Sequence, residues 1–148
     1  MCAIGTSVYA IGGFCRGMYY GGEMNECERY DWDKNEWTDI AKLKRARVDC
    51  NLYVDDEDKR IYAIGGFNDD DSCYYRHGCN RTKVVKEIEM YDPTLDTWTD
   101  VDESTGMTVM RKYMDLYHMD VPSDDDYEEY VTFISNTSKL RQMMSMIQ

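Results

Sequence analysis

The chain has 148 residues, 43% of them hydrophobic, which is enough for one ordinary domain with a core. Its 29 Asp and Glu against 17 Lys and Arg leave a net charge of −12, and this argues against sequence-independent nucleic-acid binding and against docking on anionic membranes, both of which need basic residues. No apolar run approaches the ~20 residues of a spanning helix, the first residues carry no basic leader, and six cysteines without a secretory signal read as reduced thiols of a soluble cytoplasmic protein.

Short strands are expected from the N-terminus onward. Cys2-Ala3-Ile4 reads as the remnant of a first strand, and Gly5-Thr6-Ser7 as its turn. Val8-Tyr9-Ala10-Ile11 then runs into Gly12-Gly13-Phe14. Paired glycines let the chain take backbone angles closed to other residues, or lie tightly against a neighbour. Glu28-Arg29-Tyr30-Asp31 and Trp37-Thr38-Asp39 flank a polar turn over 31–35. The basic stretch Leu43-Lys44-Arg45 precedes a strand at 50–54, and the polar turn 55–60 leads into Ile61-Tyr62-Ala63-Ile64-Gly65-Gly66-Phe67.

That last run nearly copies residues 8–14, 53 positions earlier. A second match follows: Glu89-Met90-Tyr91-Asp92, a turn with proline at its second position, and Trp98-Thr99-Asp100 repeat residues 28–39 at an offset of 61. The tyrosine and tryptophan are seven positions apart in both copies. The eight extra residues of the second copy fall between Gly66 and Tyr91, where a loop between fixed strands tolerates insertion. The unit is therefore four short strands recurring at 50–60 residues, as in the blades of a β-propeller.

Downstream the pattern weakens. Met110-Arg111-Lys112 is matched to Leu43-Lys44-Arg45, Leu116-Tyr117-His118-Met119 to a first strand, and residues 131–136 to residues 61–66, with Ser135 and Asn136 where the glycines stand. No Tyr-Asp or Trp-Thr-Asp follows. Leu140, Met143, Met144 and Ile147 have helical spacing in a tail read as a frayed terminus.

The motif residues Gly12, Gly13, Tyr30, Trp37, Gly65, Gly66, Tyr91 and Trp98 resemble those of the Kelch-repeat family over residues 2–101. The expected fold is all-β: a partial Kelch β-propeller with two recognisable four-stranded blades and a degenerate third. The expected divisions are a first blade at 2–48, a second at 49–101 with an insertion at 68–88, a third at 102–137 and a tail at 138–148. Propellers close with at least about four blades. The chain is accordingly read as a piece of a longer product or a non-functional truncated fragment, as pairing with itself so that two copies close one ring, or as unstable.

The resemblance implies protein–protein recognition, through loops that follow the double glycine and precede the first strand of each blade. Those loops hold Arg16, Tyr19 and Tyr20, then Asn68, Tyr74, Tyr75 and Arg76, and the pre-strand Arg45 and Arg47. Arginine and tyrosine are residue types that anchor interfaces. By the same resemblance, the role is substrate recognition for cullin-RING ubiquitin ligases, through a separate adaptor domain such as BTB, or else actin binding.

Chemistry of other kinds finds little footing. Cys73, His77 and Cys79 match no common zinc spacing; Arg76, His77 and Arg81 would instead lower a thiol's pKa, making Cys73 and Cys79 candidate redox thiols. Asp31-x-Asp33-x-Asn35 imitates the start of a calcium loop, but Glu36 and Lys42 stand where glycine and glutamate are required. There is no phosphate-cradling loop or nucleophile elbow. Copper oxidases resemble Kelch propellers, yet carry a full ring and axial ligands that this chain does not match. A non-enzymatic protein without cofactor or metal is expected.

Overall fold

The computed structural model of the chain describes residues 1–15, 22–69, 82–120, 122 and 126–145. Two four-stranded antiparallel meanders form side by side. The first runs β1 (Cys2–Ile4), β2 (Ser7–Cys15), β3 (Gly22–Asp31) and β4 (Glu36–Ile40). The second runs β5 (Asn51–Asp55), β6 (Arg60–Ile64), β9 (Glu89–Asp92) and β10 (Thr97–Asp100). A short hairpin, β7 (Phe67–Asp69) and β8 (Thr82–Val84), carries the insertion.

The two blades repeat one another in register. Val8 lies opposite Tyr30 and Tyr30 opposite Trp37; in the second blade Ile61 lies opposite Tyr91 and Tyr91 opposite Trp98. The turns match as well: Asp31 Oδ1 accepts from the backbone of Asp33 and Lys34, as Asp92 Oδ1 does from Thr94 and Leu95. Each turn ends on a left-handed residue, Asn35 at φ 51° and Asp96 at φ 50°, a conformation that Asn and Asp tolerate better than most side chains.

Strand alternation sends each blade's side chains to two faces. Tyr9, Ile11, Cys27 and Leu43 from the first blade and its exit pack on Ile61, Ala63, Tyr91 and Trp98 of the second, forming one core. The other face of the second blade, Tyr62, Ile64 and the adjoining Ile88, builds a second core with residues beyond 102.

Those residues correct the expectation of a third blade at 102–137. They form α1 (Glu103–Leu116) and α2 (Tyr127–Ser145). Gly106, Val109, Met110, Tyr113 and Met114 are the buried positions of α1, a spacing of three and four that fits a helix. Asp102 caps its N-terminus, accepting from the Thr105 N–H at 3.0 Å. Residues 131–136, matched above to a strand, lie in α2 with Tyr130, Val131, Ile134 and Ser135 buried. The proposed tail is likewise α2 backbone as far as Ser145; its side chains lie outside the described residues.

The helix pair sits on the second blade where a further blade would pack. Gly13 N–H donates to Arg47 O at 3.0 Å, the connection leaving the first blade. Its counterpart Gly66 N–H donates instead to Ser135 Oγ at 3.1 Å. A hydroxyl of α2 thus takes the place of a chain carbonyl, and Ser135 meets the glycines rather than replacing one. Asn51 adds a link, donating to Ile134 O and accepting from the Tyr113 hydroxyl.

Candidate protein-interaction site

The expected partner-binding residues fall into three groups. Arg16, Tyr19, Tyr20, Tyr74, Tyr75 and Arg76 lie outside the described residues, as do the candidate thiols Cys73 and Cys79. Their supports are well placed. The end of β2 is tied to the connection 46–48 by Gly13 N–H to Arg47 O, and the β7–β8 stalk by mutual backbone bonds between Val48 and Phe67. Asn68 Nδ2 donates to Ala46 O at 2.8 Å, so this predicted contact residue braces the stalk. Both loop-bearing segments are therefore anchored to one short stretch of chain.

Arg45 is partly exposed and lies among carboxylates, 2.5 Å from Asp100 Oδ1 and 3.6 Å from Glu87 Oε2. Hydrogen bonds from Arg45 and Lys44 hold the Asp100 carboxyl below its usual range. Arg47 corrects the expectation, because it is 0% exposed and presents nothing to a partner. Its guanidinium donates to Gly65 O, to Glu87 O and, at 2.6 Å, to Glu89 Oε1. Glu89, also 0% exposed, accepts in addition from the backbone N–H of Lys44 and of Arg45. Such burial is tolerated because the charges are paired and both terminal guanidinium nitrogens and both carboxylate oxygens are engaged, which leaves Arg47 Nε as a buried donor with no hydrogen-bond partner among the described residues.

Glu89 was not singled out from the sequence, although a signal existed: the same Glu-x-Tyr-Asp stands at 28–31 and at 89–92. Trp98 and Tyr91 complete this seat. Trp98 Nε1 donates to Ala41 O at 2.8 Å, and Asp96 Oδ1 accepts from both Ala41 N–H and the Tyr91 hydroxyl. Burial and the Asp96 hydrogen bond push the Tyr91 phenol well above its ordinary value.

The motif glycines are explained by close approach. A Cβ on Gly12 would meet Arg47 O at 2.7 Å, and one on Gly66 would meet Val48 O at 2.8 Å. Gly65, at φ +62°, faces Ser135. Among the described residues no group of three or more His, Cys, Asp or Glu is placed to hold a metal, and no helix is long and apolar enough to cross a membrane.

The Kelch motif family matches residues 1–44. Residues of the chain are 31% identical to human Kelch-like protein 23 over 78 positions, covering 53% of this chain and 12% of that protein. They are 32% identical to Kelch-like protein 26 of Danio rerio over 97 positions, 64% of this chain and 14% of that one. Among solved structures, that of YjhT matches with a TM-score of 0.54 and 15% identity, over 68% of this chain and 36% of that one, a likeness of fold alone. With the blade register, these findings show a Kelch motif at residues 1–44 and β-sheets that form part of a propeller. The chain spans about an eighth of the length of the curated relatives it matches.

Proposed function

We propose that the chain is a Kelch-type protein-recognition module, non-enzymatic and cytoplasmic, which holds a partner protein through the segments expected as loops at 15–20 and 68–81. The observation that carries this reading is the shared anchorage of both loop-bearing segments on residues 46–48. Loops held by a rigid scaffold are the usual place for recognition, and these carry arginine and tyrosine. The unpaired Cys2, Cys15, Cys27 and Cys50 support a reducing compartment.

Within that reading, the partner is a substrate presented to a cullin-RING ubiquitin ligase. One relative, of Caenorhabditis elegans, is named a Kelch repeat and BTB domain-containing protein. The ligase role belongs to a protein that also carries such an adaptor. Actin binding is the second reading, drawn from the family resemblance. The test is affinity capture from cytosolic extract with the wild-type chain and with a Tyr74→Ala, Tyr75→Ala, Arg76→Ala variant of equal fold, followed by co-sedimentation with filamentous actin. A protein retained by the wild type and lost by the variant is the expected result. Equal retention by both would refute the loop assignment.

A further inference from the structure

The chain leaves the double glycine differently in the two blades. In the first it continues within β2, where Gly13, Phe14 and Cys15 stay paired with Met24, Glu23 and Gly22 of β3. In the second the pairing of β6 stops at Ile64, and β7 pairs with β8 as a separate two-stranded sheet. A two-stranded hairpin has little stability of its own, so its direction is set by what holds its two roots.

From the blade side, Val48 and Ala46 hold the entry strand, and Arg47 holds the Glu87 carbonyl just past the exit. Helix α2 grips both roots from the other side. At the entry, Gly66 N–H donates to Ser135 Oγ, while the buried Ser135 hydroxyl donates to Val131 O at 2.8 Å and so keeps a lone pair for the glycine. At the exit, the Tyr127 hydroxyl donates to Lys86 O at 2.8 Å, and Lys86 Nζ pairs with Glu128. Gly66 O accepts from Val85 N–H at 2.9 Å and joins the two roots. Tyr127 reaches Lys86 because α1 leaves it room: a Cβ on Gly106 would meet the Tyr127 ring at 2.8 Å. Glycine inside a helix is unfavourable, and this contact accounts for it. Each of these ties to α2 uses a side chain, so α2 can separate without breaking a sheet ladder.

We propose that α2 is a clamp on the insertion hairpin, with Tyr127 and Ser135 as its positioning residues. Docked, α2 fixes the direction in which β7 and β8 leave the blade; released, it frees the hairpin while both blades stay folded. Resting on the reading of the residues between β7 and β8 as a partner contact, the clamp adds a control to that contact. By linkage, whatever binds the hairpin in its clamped direction tightens α2 on the blade, and whatever draws α2 away weakens that binding.

Amide hydrogen exchange of the full chain, read by mass spectrometry, tests the clamp without a partner. Tyr127→Phe with Ser135→Ala removes both grips. The expected result is exchange about tenfold faster over 66–69 and 82–86, with β2, β3 and β4 unchanged as the sign that the blades stay folded. Asn51→Ala touches neither root but cuts the tie from β5 to Ile134 O, and should speed the hairpin as far as it speeds α2. Asn136→Ala, at an exposed position of the same helix, should leave the hairpin as it is. Unchanged hairpin exchange in the double variant, a hairpin indifferent to Asn51→Ala while α2 opens, or equal acceleration in Asn136→Ala would each overturn the clamp. Affinity capture separates the two readings. If the Tyr74→Ala, Tyr75→Ala, Arg76→Ala variant retains what the wild type retains, the partner contact is refuted and the clamp stands on its exchange; if hairpin exchange does not move, the clamp falls whatever is captured.

Discussion

Arg47 Nη2 donates to Glu89 Oε1 across 2.6 Å, and neither residue is exposed to solvent. The pair joins the exit of the first blade to the third-ranked strand of the second, and Glu89 also caps two backbone N–H groups of the same exit.

Removing one partner therefore leaves a buried charge uncompensated. Glu89→Ala is expected to cost about 3–5 kcal/mol, enough to unfold much of a domain of ordinary stability. Arg47→Ala should be comparably damaging. The double change to apolar residues of similar volume, Arg47→Met with Glu89→Leu, should cost less than the sum of the two. Urea denaturation of the three variants measures this; single variants as stable as wild type would contradict the pairing.

The double glycine of the second blade and the helix pair depend on one another. Gly65→Ala would put a methyl group against Ser135 at a positive φ, and should loosen α2. Gly5→Ala, also at positive φ but with open space around it, is expected to cost only about 1–2 kcal/mol. Ser135→Ala removes the acceptor of Gly66 N–H and should cost about 1–3 kcal/mol, the price of one buried unmet donor. Limited proteolysis near 120–130 reports undocking; equal resistance of Gly65→Ala and Gly5→Ala would count against the contact.

Acid sensitivity has a definite sign. The Asp100 carboxyl lies below its ordinary 3.8, held there by Arg45 and Lys44. A carboxylate depressed by folding adds stability above its unfolded pKa, and that stability is lost as pH falls through the folded value. Stability should therefore decline below about pH 4, and Asp100→Asn should shrink that decline while lowering stability at neutral pH. The measurement is denaturation between pH 2 and pH 7 in roughly unit steps; an unchanged acid limb in the variant would remove Asp100 from the account.

Thiol labelling should divide the cysteines. Burial pushes Cys2 up to about 11 and raises Cys27 and Cys50, so all three stay protonated near neutral pH, and thiolate is the reactive form. Cys15 is exposed. Iodoacetamide at pH 7.5, read by mass spectrometry, is expected to modify Cys15 well before Cys2, Cys27 and Cys50. Simultaneous labelling of all four would show that the cores are open.

Much of the fold was legible because it was written twice. The Tyr-to-Trp spacing and the glycine pairs fixed strand identity and register in both blades, and the insertion fell between fixed strands as its position implied. The helix pair was missed because Leu116-Tyr117 and Val131 are short apolar runs, which do not by themselves distinguish strand from helix. The decisive spacing was Val109, Met110, Tyr113 and Met114. Arg47 was misread because its partner lies 42 positions away. An arginine in a polar stretch looks the same whether it meets solvent or a buried carboxylate, and only the fold distinguishes them.

The most direct test of two blades capped by helices is amide hydrogen exchange on the full chain, read by mass spectrometry. Protection in β6 and β9 should extend to residues 109–114 and 130–135, with these segments opening together and α2 protection falling in Gly65→Ala. Fast exchange throughout 103–137, or protection there untouched by Gly65→Ala, would contradict a helical cap docked on the second blade.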